Sequence, residues 1–110
     1  MDDRIKFELN GLSFTWDDKK ALNNWRKHRV YFQDAAEVFF DEYALDRHDR
    51  QHMQTEPRRQ VIGMTFKSER ILLVVYVERE SWNGADVIRI ISARPATGKE
   101  REDYEAGMRK

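Results

Sequence analysis

Asn10-Gly11 is the feature that most narrows what this chain can become. The pair favours a type I′ two-residue turn, because both central positions of that turn need positive φ. The flanking residues alternate. Ile5, Phe7 and Leu9 are interleaved with Lys6, Glu8 and Asn10, and Leu12, Phe14 and Trp16 with Ser13 and Thr15. Folding about the turn sets Leu9 against Leu12, Phe7 against Phe14 and Ile5 against Trp16. One face of the hairpin is then wholly apolar.

A second constraint lies in VIRIISARPATGKEREDY, residues 87–104. Val87, Ile88, Ile90 and Ile91 are β-branched and suit a largely buried strand. Thr97 followed by Glu100 reads as a capping box, in which each side chain satisfies an orphan backbone donor at a helix start. Arg89 and Arg94 interrupt the apolar run, and a buried guanidinium is costly without a partner. The segment therefore holds two positive charges at the end of a strand beside a new helix, which suggests an anionic ligand. Five residues apart, the two arginines differ in strand parity and are expected on opposite faces.

The remaining elements fall between these two. Asp17 can cap a helix over about 18–28, with Ala21, Leu22 and Trp25 on one side and Lys20, Asn24 and Lys27 on another. A second helix is expected over about 32–40, with Phe32, Ala35, Ala36 and Phe39 at core-facing spacing. Residues 45–56 turn polar and read as a weak edge strand followed by a loop, and Pro57 argues against a central strand there. Arg59 to Phe66 reads as a strand. After a turn at Lys67-Ser68-Glu69, the unbroken run Ile71 to Val77 suggests a central strand covered on both faces. Asn83-Gly84 returns the chain into the strand over 86–94, and a last helix spans about 98–107. The expected fold is one α+β domain over residues 1–110: an antiparallel β-sheet with an N-terminal hairpin, on which two N-terminal helices and a C-terminal helix pack.

At 110 residues the chain is sized for a single core. No apolar run approaches the ~20 residues of a membrane span. MDDRIKFELN has neither the basic start nor the apolar centre of a secretory signal, and cysteine is absent. A cytoplasmic location is expected. Twenty basic residues balance twenty acidic ones, which on its own argues against a constitutive nucleic-acid binder. The charges are nevertheless segregated. Lys19, Lys20, Arg26, Lys27 and Arg29 have no acid among them, whereas Asp34, Glu37, Asp41, Glu42 and Asp46 have no base. That reads either as a basic patch beside an acidic one or as two solvated helix faces.

Taken in order, Trp16-Asp17, Lys20, Asn24 with Lys27-His28, Phe32 and Ala35, Phe40-Asp41, Glu56 with Arg58, Gly63 and the closing RIISARPAT run resemble the BrnT-type toxin family. The likeness covers about residues 14–104. It implies a fold like the RelE-type ribonuclease toxins and RNA cleavage that needs neither metal nor cofactor and arrests translation. It also implies neutralisation by a cognate ribbon-helix-helix antitoxin, with two toxins and two antitoxins per complex and operator DNA reached only through the antitoxin. The chain departs from the family pattern at Arg29, where glycine is usual after the Lys-His pair. Tyr31 stands in place of a small capping residue, Pro57 lies between Glu56 and Arg58, and the strand before Leu12 is an extension. In a left-handed cap, arginine would cost ~1 kcal/mol.

Cleaving RNA without a metal requires the 2′-hydroxyl to attack its neighbouring phosphate. A base must take the hydroxyl proton, an acid must serve the departing oxygen, and cations must meet the charge that builds on phosphorus. Arginine suits the last task because its planar fork bonds two phosphate oxygens at once. The candidates are Arg58, Arg79, Arg89 and Arg94, with Lys27 on the first helix; parity keeps Arg89 and Arg94 from sharing a phosphate, so Arg94 beside the helix start is favoured and Arg89 can instead neutralise an acid under the other helix layer. Each has a structural alternative, an ion pair. His28 can move a proton near neutral pH or simply cap its helix beside Trp25. Glu56, among Arg50, Arg58 and Arg59, can act as base or pair with an arginine. Trp82 can stack on a base or fold onto the core edge. His48 and His52 have a spacing that binds zinc on a helix, but their polar surroundings offer neither a helical face nor a third ligand. A different class of function fits the same charges: a non-catalytic module, a degenerate toxin that only holds its antitoxin on DNA.

Overall fold

The computed structural model describes residues 4–49, 57–80 and 86–109, the side chains of 79 and 80 excepted. The hairpin forms as the turn demands. Strand β1 (Arg4–Leu9) pairs with β2 (Leu12–Asp17) in the expected register, Ile5 against Trp16, Phe7 against Phe14 and Leu9 against Leu12. Asn10 and Gly11 have φ of 49° and 83°, the positive values that a type I′ turn requires. The apolar face packs tilted rings, with Phe7 5.6 Å from Trp16.

Asp17 ends β2 and caps α1 (Asp18–His28), its carboxylate accepting from the Lys19 and Lys20 amides. Helix α2 (Phe32–Ala35) is only one turn and tightens into a 3₁₀ helix over Ala36–Phe40. The single second helix expected over 32–40 is therefore corrected. Tyr31 gives the turn no side-chain cap, and Val38 sits 3.0 Å from where a Cβ on Gly63 would lie. That glycine lets the 3₁₀ backbone lie directly against the sheet.

Strands β3 (Leu45–His48), β4 (Arg59–Met64), β5 (Ile71–Glu80) and β6 (Asp86–Pro95) follow, and α3 (Gly98–Met108) closes the chain behind the predicted capping box at Thr97 and Glu100. The six-stranded sheet has the order β1-β2-β6-β5-β4-β3, with β5 and β6 at its centre. It is mixed, which corrects the antiparallel sheet read from the sequence: β2 and β6 run parallel, with Thr15 opposite Arg89. Alternation fixes which face a residue occupies but carries no signal for the relative direction of strands 70 residues apart.

The helices also divide between the two faces. On one, Phe14, Trp16, Leu72, Val74, Tyr76, Ile88, Ile90 and Ala93 form a core with Val30, Phe32, Ala35 and Val38 from the N-terminal helical segment. Trp16, 1% exposed, meets Phe32 edge-on at 5.7 Å. On the other, Tyr104 of α3 packs with Ile62, Ile71 and Leu73, and partly buried Leu45 and Val75 flank them. The long apolar run of β5 is thus covered on both faces, as its composition implies.

One departure predicted from the sequence has a measurable consequence. Arg29 is the C-cap of α1 and is left-handed, with φ 57° and ψ 39°, a conformation that costs a non-glycine residue ~1 kcal/mol. Its guanidinium lies 4.2 Å from the Trp25 ring centre, a contact that offsets about 0.5–1 kcal/mol of that strain. Arg29→Gly should therefore unfold in urea within about 0.5 kcal/mol of the parent, since relief and loss nearly cancel. Arg29→Ala keeps the strain and loses the contact, and should be about 0.5–1 kcal/mol less stable.

Candidate functional site

Strand β6 carries the arginines, and its pairing with β5 is irregular. Val75 lies opposite Ser92 and Tyr76 opposite Ile90, so Ile91 is an extra residue in β6, a β-bulge. The bulge reverses the alternation. Ile88 and Ile90 face the aromatic core, and so does Ala93, three residues on. Arg89 pairs with Val77 and Arg94 with Leu73, two residues of one face of β5. Arg89 and Arg94 therefore lie on the same side of the sheet, the side of α3. Opposite faces, the sequence expectation, would hold only for a regular strand.

Beyond residue 89, β6 has no β2 residue paired with it. The carboxamide of Asn24 on α1 takes up part of that role. Its Nδ2 donates to the Ala93 carbonyl at 2.8 Å and to the Val30 carbonyl at 3.1 Å, while its Oδ1 accepts from the Ala93 amide at 3.0 Å. Asn24 is 7% exposed, so these bonds form away from water, where leaving the groups unmade would be costly. The clamp ties the C-terminal turn of α1 to the edge of β6 beside Arg94. It brings His28 and Lys27 to the same corner.

The electrostatics of the corner follow from this proximity. Burial lowers the His28 pKa below its ordinary 6.5, and the charges of Lys27 and Arg94 push it the same way. Arg94 is itself engaged. Its two terminal nitrogens donate to the Glu100 carboxylate at 2.8 and 2.9 Å, a bidentate pair. That pair is the first cause of a raised Arg94 pKa and of a lowered Glu100 pKa. It sits at the rim of the sheet, with the Arg94 side chain 34% exposed and that of Glu100 12%. Glu100 also reaches Arg47 of β3 at 3.8 Å, and Arg47 lies 3.5 Å from Asp103. Two guanidiniums from the two ends of the four-stranded run thus converge on one carboxylate.

The same face continues away from α3. The register aligns Arg47 with Gln60 and Gln60 with Val75, which in turn faces Ser92. One row further lie Val77 and Arg89, then Thr15 and Lys6. Arg58, just before β4, shares the parity of Gln60, and its carbonyl accepts from the Asp49 amide. This half of the sheet face mixes Val75 and Val77 with polar residues and carries Lys6, Arg47 and Arg89 among them.

Of the residues expected to act, Lys27, His28 and Arg94 are brought to one corner, and Arg58 lies on the same sheet face. Arg79 stands opposite Val87 near the end of β5, but its side chain is outside the described residues, as are Glu56, Trp82 and His52. His48 ends β3, opposite Arg59. Among the described residues no group of three histidine, cysteine or acidic side chains is arranged to hold a metal. Sequence reasoning missed Arg47 and the second role of Glu100. The capping box located Glu100 correctly, but a side chain that reciprocates a cap amide at 2.9 Å still has lone pairs for an arginine.

With this geometry in hand, the chain can be set beside known protein families. A family model described as the ribonuclease toxin, BrnT, of type II toxin–antitoxin systems fits residues 16–100. No curated protein matches the chain. No described helix is long and apolar enough to cross a membrane.

The corner makes a testable statement about proton affinity. A lowered His28 pKa means that the folded chain binds fewer protons than the unfolded chain in mild acid. The associated stability is present above 6.5 and is lost as pH falls through the lower folded value. In an NMR titration His28 should show its midpoint below 6.5, and Lys27→Gln and Arg94→Gln should each move it upward. A midpoint that ignores both substitutions would separate His28 from this cluster.

Proposed function

The chain belongs to the BrnT family of ribonuclease toxins of type II toxin–antitoxin systems, and from that premise we propose that it cleaves RNA without a metal on the arginine-bearing face of its sheet. The observation that carries the reading is the bulge at Ile91, which puts Arg94 on the same face as Arg89, next to His28 and Lys27. Arginine forks on one surface suit successive phosphates, and Arg94 can exchange its carboxylate partner for phosphate oxygens of similar geometry. His28, kept neutral by burial and two cations, is the group at this corner able to accept the 2′-hydroxyl proton near neutral pH. Arg94 and Lys27 would then stabilise the charge on phosphorus. Glu56 and Arg58 complete the candidate set by family resemblance, and Arg79 by its position near the end of β5.

The family supplies a partner as well, since a type II toxin is paired with an antitoxin protein. The finer picture is a ribbon-helix-helix antitoxin that holds two toxins, reaches operator DNA on their behalf and relieves an arrest of translation in the cytoplasm. One feature favours the second reading, a non-catalytic partner of the antitoxin: Glu100 already occupies both Arg94 and Arg47.

Purified, antitoxin-free protein should cleave RNA in EDTA. Arg94→Ala and Arg89→Ala should each slow cleavage by at least about tenfold, as loss of a charge-stabilising donor does. Arg26→Ala, on an exposed face of α1, should leave the rate unchanged. RNA left intact at micromolar protein, together with normal growth on expression, would reject the enzyme and leave the binding module.

A further inference from the structure

At the end of α3 away from Glu100 the surface changes character. Six large hydrophobic side chains are exposed among the described residues, and four of them, Phe40, Tyr43, Phe66 and Met108, line one groove. Phe66 is 53% exposed and Tyr43 45%. Apolar side chains scattered singly on a surface need no explanation, but a cluster of this kind marks an interaction site. The groove lies between the end of the 3₁₀ helix, the turn after β4 and the last turn of α3.

Its floor is already ordered. The Asp41 carboxylate accepts from the Met64 amide at 2.8 Å, from the Tyr43 amide at 2.9 Å and from the Tyr104 hydroxyl. Burial, and then that last bond, raise the Tyr104 pKa, so the hydroxyl stays a donor. A floor fixed in advance spares a partner the cost of ordering it.

The charged residues that line the groove have one sign, with Lys67 just outside it. Its lining includes Glu42 and Glu69, both exposed, and among the described residues no lysine or arginine. Glu37 also lines it but is buried and faces Lys67 at 3.7 Å, which leaves Glu42 and Glu69 as the rim charges. RNA is disfavoured here, because its phosphates would meet carboxylates. A second copy of this chain is disfavoured too: a two-fold contact through the groove would oppose these acids to their own copies.

We propose that this groove is the docking site of the antitoxin, filled by a segment that presents apolar side chains flanked by lysine or arginine. The proposal rests on the toxin reading above, which supplies the partner. The other apolar groove, which Ile5, Trp25, Leu22 and Tyr31 help to line, contains only two of the exposed hydrophobics, and Lys19, Lys20 and Arg26 lie on the helix that forms its wall. Asp18 also lines it, but with Lys19, Lys20 and Arg26 on the same helix it is the poorer match for a basic segment. Helix α3 has eleven residues, a length of about 16 Å at 1.5 Å per residue. A partner seated at its C-terminal end is thus within reach of the arginine row beside its N-terminal end.

The test is calorimetric titration of the full chain with its purified cognate antitoxin. Phe66→Asp should weaken binding at least tenfold, and so should the double exchange of Glu42→Lys with Glu69→Lys, two exposed positions that leave the core untouched. Both variants should cleave RNA at the parent rate, and Leu22→Asp, in the other groove, should bind like the parent. Parental affinity in both groove variants, or a loss confined to Leu22→Asp, overturns the assignment. So does a dimer of the chain alone that Phe66→Asp abolishes. Failure of the toxin reading looks different: the unmodified chain then neither cleaves RNA nor slows growth, whatever the groove variants do.

Discussion

One inserted residue decides which face of the sheet the arginines of β6 occupy. Without Ile91 as a bulge, β6 would alternate regularly, and the two guanidiniums of its arginines would project from opposite faces. With it, the strand gives Ile88, Ile90 and Ala93 to one core and both arginines to the other side. Asn24 makes the arrangement durable. Its carboxamide binds both backbone groups of Ala93, where β6 has passed the end of its pairing with β2. The bulge aims Arg94, and the clamp brings α1, with Lys27 and His28, to the same spot.

The two faces of the sheet are consequently unlike. One is filled by rings from the hairpin and by the short helical turns between Phe32 and Phe40. The other is half covered by α3 and half of mixed polarity, and α3 ties the halves together. Its first turn offers Glu100 to Arg94 and Arg47, while its last contributes Met108 to an apolar groove with acidic edges. Basic residues and acidic residues sum to zero in this chain, and many pair with each other, yet the charged residues lining the groove are all acidic while β6 carries Arg89 and Arg94. A neutral total therefore does not preclude a surface for RNA and another for a basic partner.

Much of this was legible in the residues. The hairpin register follows from Asn10-Gly11 and strict alternation, and the helix starts follow from Asp17 and from Thr97 with Glu100. Those signals are local, set by turn and cap chemistry within a few positions. What escaped was non-local. Ile90-Ile91 reads as continuous burial, so nothing in the sequence marks where the alternation slips. The parallel pairing of β2 with β6 depends on the path of the chain between them, which periodicity does not record. The tightened second helix lies directly against Gly63, a contact across 25 residues that local spacing does not record. At the candidate site, chemistry singled out Arg94, His28 and Lys27, whereas Arg47 came into view only once β3 had a place in the sheet.

The proposed RNA surface requires Arg89 and Arg94 to act together. The most direct measurement is a double-mutant cycle on RNA affinity, in which each arginine is replaced by alanine singly and both together. Coupling of more than about 0.5 kcal/mol is predicted, because side chains that meet the same ligand do not contribute independently. Losses that add within that margin, or an Arg89 replacement that RNA does not sense, would contradict the shared face.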